Sequence, residues 1–237
     1  MLSVLKRLFG RAPATRRPAD DLDWLFPPDT LVDPAPWDQY WADQLSHGVA
    51  GFVHLFCDDG DLVDAMRAGG LKTVLCVGNG ISQEARALAS AGFDVTALDL
   101  SPFAMDVARE SSPPDELLAQ LVGGRSRGMN GALRFVVGDL RDVNCCSGPY
   151  DVVIDRKTLQ LYSKTERPIA IQAVANRLGS RGIFFSQAHN GAWKPTQPRI
   201  HALESWFRAE GWPIRQGAGR ANEPLKGRVA WLLMTTG

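Results

Sequence analysis

Gly78, Asn79 and Gly80 follow the apolar run Thr73 to Val77, and Asp99 lies 21 residues beyond Gly78. Glycines after a strand let backbone approach a ligand closely and leave amide donors free at a helix N-terminus. A carboxylate closing the next apolar run suits bidentate hydrogen bonding to ribose hydroxyls. Turn, helix and carboxylate in this order point to a ligand that carries a nucleoside. A tight turn followed by a helix-capping Asp is the plainer reading of either feature alone.

Elements of alternating type must position these groups. Thr73 to Val77 is fit for a buried parallel strand. Ile81, Ala85, Leu88 and Ala89 fall at helical spacing, and Gly92 stops that helix. Asp94 to Leu98 predicts a second strand ending at Asp99. Ser101-Pro102 then supplies an N-cap and a proline at the first helical position of Phe103 to Arg109. Leu133 to Val137, Asp151 to Ile154 and Gly182 to Ala188 are the next strands. Helices are expected at Thr165 to Leu178 and Ile200 to Glu210, with a part helix around Leu117 to Val122. The closing strands Pro213 to Gly217 and Arg228 to Thr235 are joined by a link too short for a crossover, so they pair antiparallel. The fold class is therefore α/β: a doubly wound, mostly parallel seven-stranded sheet with an antiparallel C-terminal strand pair and helices on both faces. Ahead of it, helices are expected from Pro36-Trp37 to Ser46 and over Asp61 to Ala68. Residues 1–35 read as a basic leader and a Pro/Asp-rich arm whose Trp24 and Phe26 dock on the body; 36–237 is the ligand-binding domain.

Two ligand classes fit the turn, dinucleotides and S-adenosylmethionine. The dinucleotide fingerprint needs a glycine three residues after Gly80, where this chain has Gln83. VLCVGNGIS, VTALDLSPFAMDVAR, FVVGDL and YDVVIDRKTLQ together resemble the class I (seven-β-strand, Rossmann-like) S-adenosylmethionine-dependent methyltransferases over roughly residues 60–237. The resemblance implies that S-adenosylmethionine is the cofactor. It places Gly78, Asn79 and Gly80 at the methionine part, Asp99 on the ribose, and Leu100 against the adenine. Asp139 and Leu140 would also contact the adenine, the carboxylate accepting from the exocyclic amine. Cys76 stands where the family usually has an acid, and Ser82 where it often has a third glycine, so the methionine end would be rearranged through Asn79 or Ser82. A dinucleotide-dependent oxidoreductase and a non-catalytic binding protein of the same fold are the rival readings.

Methyl transfer asks the protein mainly for alignment, and for a general base only when the acceptor is protonated. Asp155, Tyr162 and His189 are the candidates near the cleft. Asp155 could instead cap its turn, Tyr162 could pack a helix, and His189 could sit exposed in a loop. Asp155-Arg156-Lys157-Thr158-Leu159-Gln160 is similar to the Asp-Lys-Gly-Thr-Leu-Asp of lysine-directed protein methyltransferases, without its glycine and final acid. The expected acceptor is therefore a protein side chain of the lysine kind, with a small molecule as the alternative. Asn190 to Pro195 would wall the acceptor site, and Tyr40 and Trp41 would form its lid, in competition with ordinary packing.

Twenty-six basic and 26 acidic groups cancel over 237 residues, which argues against bulk nucleic-acid binding. The cancellation is a sum of opposed blocks. Residues 1–17 hold five basic groups and no acid, 18–139 hold 7 basic and 19 acidic groups, and 140–237 hold 14 basic and 7 acidic. Arg156, Lys157, Lys164, Lys194 and Arg199 in the last block suggest that the acceptor side attracts an acidic partner, against a plain reading of scattered solvated charge. Cys57, Cys76, Cys145 and Cys146 match no zinc spacing and read as thiols of a reducing compartment, and no metal site is expected. No apolar run approaches the ~20 residues of a membrane span. A cytoplasmic location is expected, with organelle targeting by residues 1–17 as the alternative. Oligomeric state is not legible.

Overall fold

A computed structural model describes residues 33–46, 60–113, 116, 118–119, 131–156, 158–162, 166–189 and 229–235. In chain order these form α1 (Pro34–Ser46), α2 (Gly60–Ala68), β1 (Thr73–Val77), α3 (Glu84–Ser90), β2 (Asp94–Asp99) and α4 (Pro102–Glu110). Then come β3 (Leu133–Val137), β4 (Tyr150–Arg156), a 3-10 turn (Leu159–Leu161), α5 (Arg167–Ala175), β5 (Leu178–His189) and β6 (Val229–Thr235). The strands lie in the order β3-β2-β1-β4-β5-β6. The first five are parallel, and β6 runs antiparallel to β5, with Ile183 opposite Thr235 and His189 opposite Val229.

Burial follows the two-residue period of the strands. Leu75, Val77, Leu98, Val153 and Phe184 face Ala170, Ile171 and Val174 of α5. Val74, Cys76, Val95, Val152, Ile154 and Phe185 turn to the other face, against Val63 and Met66 of α2 and Ala85 and Leu88 of α3. Both faces of the central strands are thus covered, which is why they read as unbroken apolar runs. Cys76 is a thiol inside the second layer, where an unpaired carboxylate would be costly.

The expected strands and helices among the described residues are present with several shifts of boundary, three of which are tied to particular contacts. α1 starts at Pro34, ahead of Pro36, with the Ala35 amide donating to Asp33 Oδ1 at 2.9 Å. α5 ends at Ala175 rather than Leu178, because Arg177 leaves the helix and is buried. Its guanidinium donates to the carbonyls of Asp142, Ala173, Cys145 and Cys146, which ties the helix end to the loop before β4. β5 accordingly begins at Leu178, opposite Tyr150, and its register shifts so that Ile183 meets Val152. Residues 116, 118 and 119 are helical. The leader and arm through residue 32, Cys57, the helix Ile200 to Glu210, the strand Pro213 to Gly217 and the wall Asn190 to Pro195 lie outside the described residues. The seven-strand count and the C-terminal pair are therefore not reached by the six strands described.

Candidate functional site

Strand order reverses between β1 and β4, so the carboxyl ends of those strands open the crevice where α/β sheets bind ligands. β1 delivers the Gly78-Asn79-Gly80 turn to that edge. Gly78 has φ +62° and Gly80 φ +53°, conformations that disfavour a Cβ. The space a Cβ would take is filled by protein. At Gly78 it would lie 1.8 Å from Thr158 Oγ1, and at Gly80 2.3 Å from Trp41 Cζ2. The close approach foreseen for a ligand is thus made on these sides by a threonine after β4 and a tryptophan of α1. Nor are the turn's amides free donors. Asn79 N donates to Leu98 O at 3.0 Å, and Gly80 N to Asp99 Oδ2 at 2.7 Å.

Asn79 departs from this economy of paired groups. Its amide nitrogen donates to Gly80 O and Ser82 O, while its Oδ1 is buried without a hydrogen-bond partner. A buried acceptor left unpaired costs about 1–3 kcal/mol, so it marks a place where a donor from a ligand would be welcome.

Asp99 ends β2 and is 8% exposed. Oδ2 accepts from Gly80 N, and Oδ1 from Ser101 N at 2.9 Å. Burial pushes its pKa up to about 6, against the opposing pull of those amides, and the charge of Asp38 adds to the rise. Asp38 was not singled out by sequence reasoning. It reaches from α1 to accept Ser101 Oγ at 2.5 Å and Phe103 N at 3.1 Å, at the N-terminus of α4. Trp41 lies one helical turn further on and packs with Ile81 and Ala104. The helical spacing of Trp37 and Trp41 was the available signal; which carboxylate would face α4 had none.

Leu100 is half-buried beside Asp99, and Leu140 is buried with Leu98, Leu159 and Tyr162. Asp139 accepts from the Arg141 amide at 2.8 Å and from its guanidinium at 2.7 Å. Burial raises its pKa, but the bonds and charge of Arg141 outweigh this and hold it below the ordinary carboxylate value. Arg141 also pairs with Glu166 at 3.1 Å and lies 5.4 Å over the Tyr162 ring. Asp139 therefore stands at the expected place with a partner the sequence did not announce.

Asp155 is fully buried at the end of β4. Oδ1 accepts from Thr158 N at 2.8 Å and Leu159 N at 3.1 Å, and Oδ2 from Ser186 Oγ at 2.7 Å. Burial drives its pKa up to about 6 against those hydrogen bonds. Tyr162 is buried in the core beneath Arg141; burial first, and then the charge of Asp139, hold its phenol protonated well above its ordinary range. His189 is the last residue of β5, at the carboxyl end of that strand. Arg156 points to the opposite face from Asp155. It donates through Nε to Glu84 Oε1 at 2.9 Å, forms a second bond through Nη2, and stacks 4.6 Å over Phe185. Arg156 is thus an internal ion pair and not part of a basic acceptor surface, which corrects that expectation. Arg141 and Arg177 of the same block are likewise spent inside, while Lys157, Lys164, Lys194 and Arg199 lie outside the described residues. Among the described residues no cluster of His, Cys, Asp and Glu could hold a metal, and no helix is long and apolar enough to cross a membrane.

Residues 75–186 match the family model described as a methyltransferase domain. A search of curated proteins finds no match. Among solved structures, the chain is similar to magnesium protoporphyrin IX methyltransferase from Synechocystis PCC 6803 with bound S-adenosylmethionine, at 17% identity and TM-score 0.55, over 100% of this chain and 91% of that one. It is similar to a TehB-like S-adenosylmethionine-dependent methyltransferase from Corynebacterium glutamicum, at 18% identity and TM-score 0.55, over 86% of this chain and 98% of that one. A third is 1,6-didemethyltoxoflavin-N1-methyltransferase from Burkholderia thailandensis with S-adenosylhomocysteine bound, at 17% identity and TM-score 0.55, over 85% and 89% of the two chains.

Proposed function

We propose that the chain is a class I S-adenosylmethionine-dependent methyltransferase whose methyl acceptor is a small molecule. The observation that carries the cofactor part is the Asp99 carboxylate, presented at the end of β2 by two backbone amides beside the orphaned Asn79 Oδ1. Asp99 accepts from the ribose hydroxyls, and Asn79 Oδ1 takes a donor from the methionine end. That assignment gives Asn79 the polar role that Cys76, sealed in an apolar layer, does not fill. Leu100 and Leu140 flank the adenine. Asp139 accepts from its exocyclic amine while Arg141 holds the carboxylate ionised. S-adenosylmethionine supplies a methyl group already activated by its sulfonium charge, so the chain's task is alignment and exclusion of water.

The small-molecule reading draws on two supports. Trp37, Tyr40 and Trp41 form an edge-to-face aromatic set, with centroids 6.1 and 5.0 Å apart, on a helix that reaches Gly80 and packs towards Leu140. An aromatic roof suits a flat or apolar acceptor. The neighbours named for a porphyrin and for didemethyltoxoflavin are of this acceptor class. The lysine reading rested on the segment from Asp155 to Gln160, and Asp155 there spends both oxygens on its own turn and on Ser186. In this scheme Asp155 is a positioning residue, Tyr162 a neutral wall, and His189 the candidate base at the end of β5. Incubating the protein with methyl-labelled S-adenosylmethionine and a host extract tests the reading. Label in the small-molecule fraction supports it; label confined to protein overturns it in favour of lysine.

A further inference from the structure

We propose that Asp38 is a positioning residue for the cofactor, acting through Ser101 on Asp99, so that α1 is a working part of the cofactor site. The inference deepens the cofactor assignment above and rests on it.

Two separate paths run from α1 to the two oxygens of Asp99. The first starts at Asp38, whose Oδ1 accepts the Ser101 hydroxyl. A serine hydroxyl has one proton, so donating it to Asp38 leaves its lone pairs free to accept Ala104 N at 3.0 Å and cap α4. Ser101 is fully buried, and with its side chain fixed at both ends its amide is aimed at Asp99 Oδ1. The second path starts at Trp41, three residues further along the same helix face. Its indole rests on Gly80, whose amide holds Asp99 Oδ2. Each oxygen of the ribose carboxylate is thus set by a residue that α1 touches. Asp38 is also a charged neighbour that adds, after burial, to the rise in the Asp99 pKa.

A cap that merely stabilised α4 would leave ligand affinity alone. The test is calorimetric titration of the full chain with S-adenosylhomocysteine across pH, for wild type, Asp38→Ala and Asp38→Asn. Loss of a charge-assisted hydrogen-bonding partner in Asp38→Ala is expected to weaken binding roughly tenfold or more. Asp38→Asn keeps an acceptor oxygen and removes the charge. It is expected to bind within about threefold of wild type near pH 8, with the pH midpoint of affinity moved down because the neighbouring charge is gone. Asp38→Ala at wild-type affinity overturns the inference. Should Asp38→Ala fail to fold, an unmoved midpoint in Asp38→Asn overturns it instead. A wild-type chain that binds no S-adenosylhomocysteine overturns the cofactor assignment itself, and this inference with it.

Discussion

Asp99 and Asp155 end neighbouring parts of one parallel sheet, and both are buried carboxylates pushed up to about 6. They differ in who holds them. Asp99 takes its amides from the glycine turn and from the start of α4, and α1 closes over both. Asp155 takes its donors from the turn that follows its own strand and from Ser186 of β5, and none of its surface is exposed. The same side chain at equivalent ends of strands thus joins three elements in one place and locks its own turn to a neighbouring strand in the other. What separates them is the source of their hydrogen bonds, not their burial or their acidity.

The largest effect should come from the pair that joins the two regions, Glu84 at the start of α3 and Arg156 next to Asp155. Each is nearly inaccessible. Glu84→Ala strands the arginine inside the apolar layer, and a loss of about 3–5 kcal/mol in chemical denaturation is expected. A loss under about 1 kcal/mol would mean that the two regions are not braced by this pair. Asp99→Ala should weaken S-adenosylhomocysteine binding by roughly tenfold to a hundredfold in calorimetry, the scale of one charge-assisted hydrogen bond, while the chain stays folded. Wild-type affinity in that variant would erase the distinction from Asp155. Asp155→Ala should do the reverse, costing about 1–3 kcal/mol of stability by orphaning Thr158 N, Leu159 N and Ser186, with ligand affinity held within about threefold. An affinity loss larger than that would place Asp155 at the ligand.

The smallest effect is in pH. A carboxylate whose folded pKa is raised from 3.8 to about 6 favours the fold while protonated. Its contribution is complete below the unfolded value and is lost as pH rises through about 6. Asp155→Asn copies the protonated form, so stability measured near pH 5 and near pH 7 should differ less in the variant than in wild type. On the proposed ribose assignment, ionised Asp99 accepts from hydroxyls more strongly than its protonated form. Wild-type affinity should therefore fall as pH drops below about 6, a dependence that Asp99→Asn removes and Asp155→Asn leaves in place. A pH dependence carried instead by Asp155 would reverse the comparison.

Much of the fold was legible because its signals are local. The strands at 73–77, 94–99 and 133–137 announce themselves as short, largely apolar runs, the first two buried, and Ser101-Pro102 marks a helix start that the Ala104 N to Ser101 Oγ bond realises. The ends of α5 and β5 were not legible, since Arg177 leaves the helix for three distant carbonyls, of Asp142, Cys145 and Cys146, that no spacing reveals. The charge arithmetic misled for the same reason. It counts Arg141, Arg156 and Arg177 as surface, whereas Arg156 and Arg177 are consumed by partners remote in sequence and Arg141 is shared between neighbouring Asp139 and distant Glu166.

For the site, residue type and order along the chain pointed to a nucleoside-bearing ligand, and Gln83 with the resemblance of four segments to a methyltransferase family chose S-adenosylmethionine: a glycine turn after one strand and a carboxylate after the next are nearest-neighbour features of a β-α-β chain. Tertiary structure decided how those groups work. It put Thr158 and Trp41 where glycine side chains would be, left Asn79 Oδ1 without a donor, and gave Asp99 to the turn and α1 but Asp155 to its own loop. Sequence periodicity specifies which face of an element is buried; it does not specify which far element supplies the hydrogen bonds, because those depend on how the packed layers meet.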